Sequence, residues 1–578
     1  MMIHIEERAL AEYSIYLPEK SGAEERKYAA VLQNYLKKTV GSEIGITAER
    51  KENLFILKNL HRRGNDGVEI EIGKDVILAG NNARSMAYAV YIFLEKFLGW
   101  RFLTPEFETR TAVKEHIGAT RYTYTCPLDY RLVLWADEFR SDYFVKSKIN
   151  SEFSGDLPAE DGGGLYYAYG KAYERYRYGC HTYGVYLDSE KYFDEHPEYF
   201  ALNEDGSRNR EQPCLSHPDV EKIVTEGVIE TLKNSPGARF VSVSQNDTEE
   251  GYCHCEACEA NRKKYRSDGA NELIFVNKIA SKLKEKYPDV LFETLAYNYS
   301  TEPPVGLKAE DNVSVRFALM RCCREHSLLT PSCEFAEKIR NFFIGWSKVT
   351  DRIYLWDYTA NFRDYFLPLR NYNLFYANVR FFLQNKVKGI MEQYIHNAHT
   401  GGFGELWAYL QGKLLWEPQI NYGEYLDLMK EFLALYYGKG GHYLYDYLAL
   451  HAAAPSTNYH YGPYVTYENY MPLPSDGEKL YEDFIDRARD LFRRAEEEAV
   501  GEEKERVAKA EAELDWYEIC ALYHHLRANP AKDRSAYFAK LKKFVGKAER
   551  YKFDKISEGG GPIDGGKITD FKDPEDLW

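Results

Sequence analysis

Residues 241–258 read VSVSQNDTEEGYCHCEAC, an apolar strand that runs through a polar tip ending in Asp247 and into three closely spaced cysteines. A strand that delivers an acid at its carboxyl end is the unit from which parallel barrels assemble a site. The reading turns on whether that unit recurs, and from Tyr130 onward it does. Short apolar runs with polar carboxyl ends alternate with helical stretches: YRLVLWAD, YFVKSKIN, CHTYGVYL, RFVSVSQND, VLFETLAYNY, VSVRFALMRCC, RIYLWDYTANF and VKGIMEQYIH. PDVEKIVTEGVIETLKNS and NELIFVNKIASKLKEKYPD carry helical periodicity between them. Eight strands alternating with helices over about 285 residues predict a (β/α)8 TIM barrel, with 241–247 as its fourth strand.

Outside the barrel the pattern changes. SIYLPE reads as a strand, RKYAAVLQNYLKKTVG as an amphipathic helix, GVEIEIGKDVILAG as two strands about a turn at Gly73-Lys74-Asp75, and ARSMAYAVYIFLEKFLGW as a long helix. Residues 1–125 are therefore expected to form a small α/β domain, with the barrel over 126–415. After Trp416 the periodicity is helical with charged outer faces, which predicts an α-helical domain over 416–555. The fold class is thus α/β, ending in a Gly-rich, acidic and flexible tail over 556–578. The stretch 151–179, rich in Gly and Tyr, reads as a substrate-facing loop, and NYHYGPYVTYENYMPLP as an aromatic one.

The chain has 578 residues, 44% of them hydrophobic, so it can bury a sizeable core. Its net charge of −15 is spread along the chain with no basic face, which argues against a nucleic-acid partner. No run approaches a transmembrane helix, so no membrane partner is expected. MMIHIEERALAEY shows neither a basic nor a continuous apolar leader region, and the ten cysteines are irregularly spaced; both predict a cytoplasmic protein with reduced thiols. The oligomeric state is open, a homodimer being one compatible choice. Aromatic residues make up 15% of the chain, a surplus that suits stacking on sugar rings while hydroxyls are hydrogen-bonded, or else core packing alone.

The strand tips nominate the site: Asp137, Lys146, Asn150, His181, Gln245, Asn246, Asp247, Tyr297, Asn298, Arg321, Trp356, Asp357, Glu392 and Gln393. There is no nucleophile elbow, no phosphate-binding Gly loop and no HExxH. Carboxylates around one mouth are instead what glycosidic cleavage needs, one to protonate the leaving oxygen and a second group acting at the anomeric centre. Such chemistry requires no cofactor, and an oligosaccharide or glycan is the expected partner. Asp247 is the first choice for the acid, the alternative being an Asx-turn or helix cap. Glu392 and Asp357 are expected on the opposite face, or else as orienting groups or partners of Arg321. Gln245, Asn298, Arg321 and His181 are candidate contacts for sugar hydroxyls, although His181 equally suits a satisfied buried histidine. Trp356, Tyr297, Tyr358 and Trp135 are candidate stacking platforms. Glu405, in HTGGFGELWAYLQGKLLW, is a further candidate contact or an ordinary first-turn acid favoured by the helix dipole. Cys253, Cys255 and Cys258 form CxCxxC, and with Cys214 upstream they could hold a structural zinc, or form a reduced packed loop. Adjacent Cys322 and Cys323 read as barrel wall.

The segments AGNNARSMAYAVYIFLEKFLGWRFLTPE, CHTYGVYL, HPEYFALN, VSVSQNDTEEGYCHCEAC, LWDYTANF and GGFGELWAYLQGKLLWEP, in this order over about Arg26–Pro418, resemble the domain of unknown function 4838 family. The amino-terminal unit is similar to the non-catalytic domain that precedes the barrel in α-glucuronidases and β-hexosaminidases. Some members of the family are glycoside hydrolase family 163 endo-β-N-acetylglucosaminidases. The resemblance implies a barrel glycosidase acting on a hexosaminide, with the substrate's N-acetyl group as nucleophile and Asn246 and Asp247 as the pair that orients the acetamide and protonates the leaving group. The α-glucuronidase analogy implies instead an inverting reaction in which Asp247 faces Asp357 and Glu392. A barrel that binds carbohydrate without cleaving it is the alternative.

Overall fold

A computed structural model describes residues 3–568 except 137–141, 152–178, 250, 455–459, 461, 466–473, 530, 562 and 565–566. Asp137 and nearly all of the loop expected at 151–179 lie outside the described residues.

The amino-terminal unit is a six-stranded sheet built from β1 (Ser14–Tyr16), β2 (Gly45–Thr47), β3 (Leu54–Asn59), β4 (Gly67–Ile72), β5 (Val76–Gly80) and β6 (Thr120–Thr125), in the order β6-β4-β5-β3-β1-β2. The helices α1 (Ala23–Val40) and α2 (Ala83–Leu98) complete it. Helix α2 starts where the Asn82 side chain accepts the Ser85 N–H and stops at Gly99, whose φ of 75° only glycine adopts without strain.

A second six-stranded sheet, wholly parallel, follows: β7 (Tyr130–Leu134), β8 (Phe240–Ser242), β9 (Leu291–Ala296), β10 (Val313–Ala318), β11 (Ile353–Tyr358) and β12 (Gly389–Gln393), in the order β7-β12-β11-β10-β9-β8. Its edge strands are β7 and β8, yet Tyr130 and Phe240 from those two edges touch ring to ring at 5.8 Å, and both meet Tyr354 of β11. The sheet is therefore curled into a barrel wall with these rings in its interior. Beside them the Arg316 guanidinium lies 4.8 Å over Tyr130 and pairs with Glu293 at 2.8 Å. The helices α5 (Pro218–Asn234), α7 (Ala270–Leu283), α8 (Glu334–Val349), α9 (Tyr372–Gln384) and α10 (Gly404–Trp416) alternate with the strands, as a (β/α)8 barrel requires.

The second and third predicted strands are corrected. YFVKSKIN opens as a helical turn, α3 (Tyr143–Lys146), and only its end runs beside β7, where Asn150 N–H donates to the Arg131 carbonyl. CHTYGVYL crosses the tip of β8, with Thr182 and Tyr183 N–H both on the Ser244 carbonyl, then turns into α4 (Tyr183–Tyr186). Two irregular segments thus occupy the gap between β7 and β8. Another short helix, α6 (Glu256–Tyr265), follows the cysteine loop.

After the barrel come α11 (Tyr422–Tyr436), α12 (Gly441–Ala453), α13 (Pro474–Glu498), α14 (Glu502–Ala510), α15 (Ala512–Ala528) and α16 (Ser535–Tyr551). No helix among the described residues is long and apolar enough to cross a membrane. The segment predicted as a flexible tail is ordered in its first part. The Ile556 carbonyl accepts from Tyr365 N–H, and Glu558 N–H donates to the Phe362 carbonyl, so the chain returns to the barrel mouth.

Candidate active site

Side chains alternate along a strand between the two faces of the sheet. Tyr354 fixes the parity for β11, because its ring lies among the interior aromatics. Trp356 and Tyr358 share that face, stacked at 5.8 Å with 15° between their planes, and Trp356 Nε1 donates to Gln393 Oε1 at 2.7 Å. The opposite parity faces the helices. Leu355 is paired across the sheet with Phe317, whose ring packs on Phe343 of α8. Asp357 and Glu392, register partners of each other, carry this outward parity.

The structure consequently does not bring Asp357 and Glu392 to the mouth. Asp357 Oδ1 accepts from Arg324 Nη1 and from Tyr358 N–H, both at 2.7 Å, so its partner is Arg324 and not Arg321. Glu392 is fully buried, and neither of its oxygens has a hydrogen-bond partner. Burial, with the Asp357 charge beside it, raises the Glu392 carboxyl well above the usual range against the opposing pull of Arg324. A group whose pKa is higher in the folded chain loses stability for the fold as pH rises past its unfolded value, here about 4.3. Glu392→Gln is therefore expected to match the wild-type thermal midpoint near pH 4 and to exceed it at pH 7–8, with turnover retained. A loss of turnover would return Glu392 to the chemistry.

At the carboxyl end of β8 the structure opens a cleft of about 340 Å³ lined by Asp247, Tyr297, Asn298, Arg321 and Tyr464 among others. Asp247 is exposed, and its Oδ1 accepts the Tyr297 hydroxyl at 2.9 Å. Burial, with Asp247 next, pushes the Tyr297 hydroxyl well above its usual range, so it stays a donor. His181 stands at 5.6 Å from the Tyr297 ring in the left-handed region, φ 57°. Burial lowers its pKa although the Asp247 charge opposes this, so the ring is neutral at pH 7. With Nδ1 donating to the Gln245 carbonyl at 2.8 Å, Nε2 remains an acceptor. Arg321 has no hydrogen-bond or ion-pair partner among the described residues.

Other candidates serve the scaffold. Gln245 is fully buried, donating to the Tyr297 carbonyl and accepting from Ser300, which locks the tips of β8 and β9 together. The Asn246 amide accepts from Gly184 N–H at 2.8 Å and donates to the Glu211 carbonyl. Asn298 lines the cleft while its amide donates to the Thr248 carbonyl. Trp135 carries the outward parity of β7 and packs by Gly404 of α10, away from any sugar. Glu405 is buried and paired with Lys509 of α14. Lys146 pairs with Glu108, and Asn150 with Asp66, both in the amino-terminal unit.

Two residues of this mouth went unrecognised in the sequence. Tyr464 lines the cleft from the aromatic loop, and its hydroxyl donates to Glu558 Oε2 at 2.6 Å. Glu558, from the returning tail, also accepts from the Gln393 amide at 3.3 Å. A carboxylate thus stands at the tip of β12, with the Tyr464 side chain between it and the cleft that holds Asp247. Neither signal is local: one residue sits in a loop between helices, the other in a Gly-rich tail.

The cysteine loop converges as its spacing implies. Cys214, Cys253, Cys255 and Cys258 have donor atoms within 4.8 Å of one another, and Cys214 Sγ lies 3.6 Å from Cys255 Sγ. A tetrahedral zinc with Zn–S bonds of about 2.3 Å sets sulfurs about 3.8 Å apart, so the four residues suit that ion. The cluster sits between the Phe200–Leu202 strand and the start of α6, beside the loop that carries Asp247.

A family model described as domain of unknown function DUF4838 matches residues 101–449. No curated relative matches the chain. Among solved structures it is similar to a family 89 glycoside hydrolase from Clostridium perfringens in complex with 2-acetamido-1,2-dideoxynojirmycin, at 13% identity and a TM-score of 0.51, covering 92% of this chain and 66% of that one. That likeness shows the fold, and the chain spans just under two thirds of the hydrolase's length. Weaker likenesses, at 11% identity, are to a GH138 enzyme targeting pectin rhamnogalacturonan II (TM-score 0.42; 93% of this chain, 73% of that one) and to the GH20 β-N-acetylhexosaminidase of Streptomyces coelicolor A3(2) (TM-score 0.41; 75% and 91%).

Proposed function

Because this chain belongs to the DUF4838 family and folds as a (β/α)8 barrel, we propose that it is a glycoside hydrolase with Asp247 as its general acid. The observation that carries the reading is the open cleft at the strand tips in which Tyr297 holds one oxygen of an exposed Asp247. Its other oxygen is left to meet a glycosidic oxygen, and proton transfer there lets the aglycone depart as an alcohol while an oxocarbenium-like centre forms. Tyr297 and Tyr464 supply aromatic rings in the cleft lining, and His181 Nε2 offers an acceptor for a sugar hydroxyl.

Two routes differ in what attacks the anomeric carbon. An N-acetylhexosaminide would use its own acetamide, with Asn246, whose amide already bonds two backbone groups, to orient it through the remaining N–H. The inverting route is supported by two specific features. The Arg321 guanidinium, unpaired among the described residues, suits a uronate carboxylate, and Glu558, behind the Tyr464 side chain, is a second carboxylate at the mouth that would activate water once that side chain turns aside. A panel of aryl glycosides covering both anomers of the uronides and N-acetylhexosaminides tests the proposal. Turnover of one of them by wild type is expected, with Asp247→Asn losing activity on the alkyl glycoside of the same sugar; oligosaccharide binding without any turnover would make the barrel a binding protein. On the inverting route Glu558→Gln lowers kcat by about 10²-fold or more, and proton NMR of the first-formed sugar shows inverted configuration. An unchanged kcat would remove Glu558 from the chemistry and favour substrate assistance.

A further inference from the structure

Another set of metal-binding side chains meets at the same mouth, independent of the CxCxxC loop. Cys323 and His326 follow β10, Cys333 is the N-cap of the 16-residue helix α8, and His460 arrives from the loop between α12 and α13. Their donor atoms all lie within 4.8 Å of one another. Cys323 Sγ is 3.4 Å from His326 Nδ1 and 3.5 Å from His460 Nδ1. A zinc tetrahedron with Zn–S of about 2.3 Å and Zn–N of about 2.0 Å has S···N edges of about 3.5 Å. The spacing is thus that of a ligand shell, whereas an ordinary packed cysteine has no reason to hold two imidazoles at that distance.

Backbone N–H groups point at both sulfurs. Glu325 and His326 N–H both donate to Cys323 Sγ at 3.3 Å, and Ala336 N–H to Cys333 Sγ at 3.4 Å at the amino end of α8. We propose that Cys323, His326, Cys333 and His460 bind a structural zinc ion, separate from the cysteine-loop cluster. Two thiolates and two neutral imidazoles balance the dication, the two thiol protons pass to solvent on binding, and four protein ligands leave no open position for catalysis. The ion would join the barrel mouth to the loop that supplies Tyr464. Among the described residues that loop also docks through Gly462 N–H to the Cys322 carbonyl at 3.3 Å, the Pro463 carbonyl from Phe362 N–H at 2.9 Å, and Asn361, whose side chain bonds both backbone groups of Val465. Cys322 and Cys323 are both buried.

Zinc content of the full chain, purified without chelators or a metal-binding tag, tests the site. Two zinc ions per chain are expected in wild type, and one in each of Cys333→Ser, His460→Ala and Cys253→Ser, with circular dichroism verifying that each variant is folded. Protein isolated without metal is to be titrated with Zn2+ against a chromophoric chelator; loss of one binding equivalent in His460→Ala supports the proposal equally. Wild-type zinc content or binding in both Cys333→Ser and His460→Ala would overturn it, as would a wild type that binds only the zinc lost with Cys253→Ser.

Discussion

Asp247→Asn is expected to lower kcat/KM for alkyl glycosides and natural oligosaccharides by about 10²–10⁴-fold, the range typical of a positioned general acid. The asparagine keeps the shape of the side chain and can still accept from the Tyr297 hydroxyl, so the cleft and KM should change little. What it cannot do is give a proton to a leaving alkoxide. The loss must therefore depend on the leaving group. A 2,4-dinitrophenolate departs without help, and the variant should hydrolyse that glycoside at a rate within about tenfold of wild type if departure limits turnover. Equal losses for good and poor leaving groups would point to damage of binding, and no loss for either would move the acid elsewhere, with Glu249 in the same cleft the first to examine.

The parts of this molecule that were legible in its sequence are those whose signal is local. The strands β9 to β12 are mostly apolar and buried at every position because both faces are covered, and GVEIEI alternates because β4 has a covered face and a partly open one. Asp247 was legible because the tip of β8 is contiguous with it, and the cysteine cluster because three of its ligands lie within six residues. Reading YFVKSKIN and CHTYGVYL as strands failed because β-rich composition does not report where a chain turns, and tertiary contacts to β7 and β8 decided it. Asp357 and Glu392 lie one step of parity away from the inward-facing side chains of their strands. The residue after an inward-facing side chain points outward, and a strand apolar on both faces carries no mark of which parity is which. Glu558 and His460 reach the mouth from about 165 and 137 residues beyond Gln393 and Cys323, and no spacing rule spans such distances.

Among the bonds that join the amino-terminal unit to the barrel, those of one fully buried carboxylate set the second large effect. Asp66 accepts from Arg84 of α2 at 2.8 Å, from Arg131 of β7 at 2.7 Å, and from Asn150 at 2.9 Å, with no exposure of its side chain or of Arg131. Burial alone would raise the Asp66 carboxyl, but Arg84 and then Arg131 overcome it and hold the group far below the usual range. The Arg131 guanidinium in turn lies 5.1 Å over the Trp416 ring at the end of α10, so the charge pair ties the first sheet, the first barrel strand and the last barrel helix together. Asp66→Asn preserves volume but turns one acceptor oxygen into an amide NH2 that faces donors, and it leaves two buried guanidinium groups without a counter-charge. Breaking one side of such a pair costs about 3–5 kcal/mol, and a clear fall in the urea midpoint is expected. The sign of the pH dependence follows from the depressed pKa. The stabilisation is full above the unfolded value of about 3.9 and drains away as pH falls below it, because the folded chain then keeps a charge that the unfolded chain has neutralised. Wild type and Asp66→Asn should differ most between pH 5 and 8 and converge below pH 4, measured on urea transitions at each pH. A difference that stays constant across that range would mean that the substitution acts through packing and that the charge of Asp66 is not what holds the two units together.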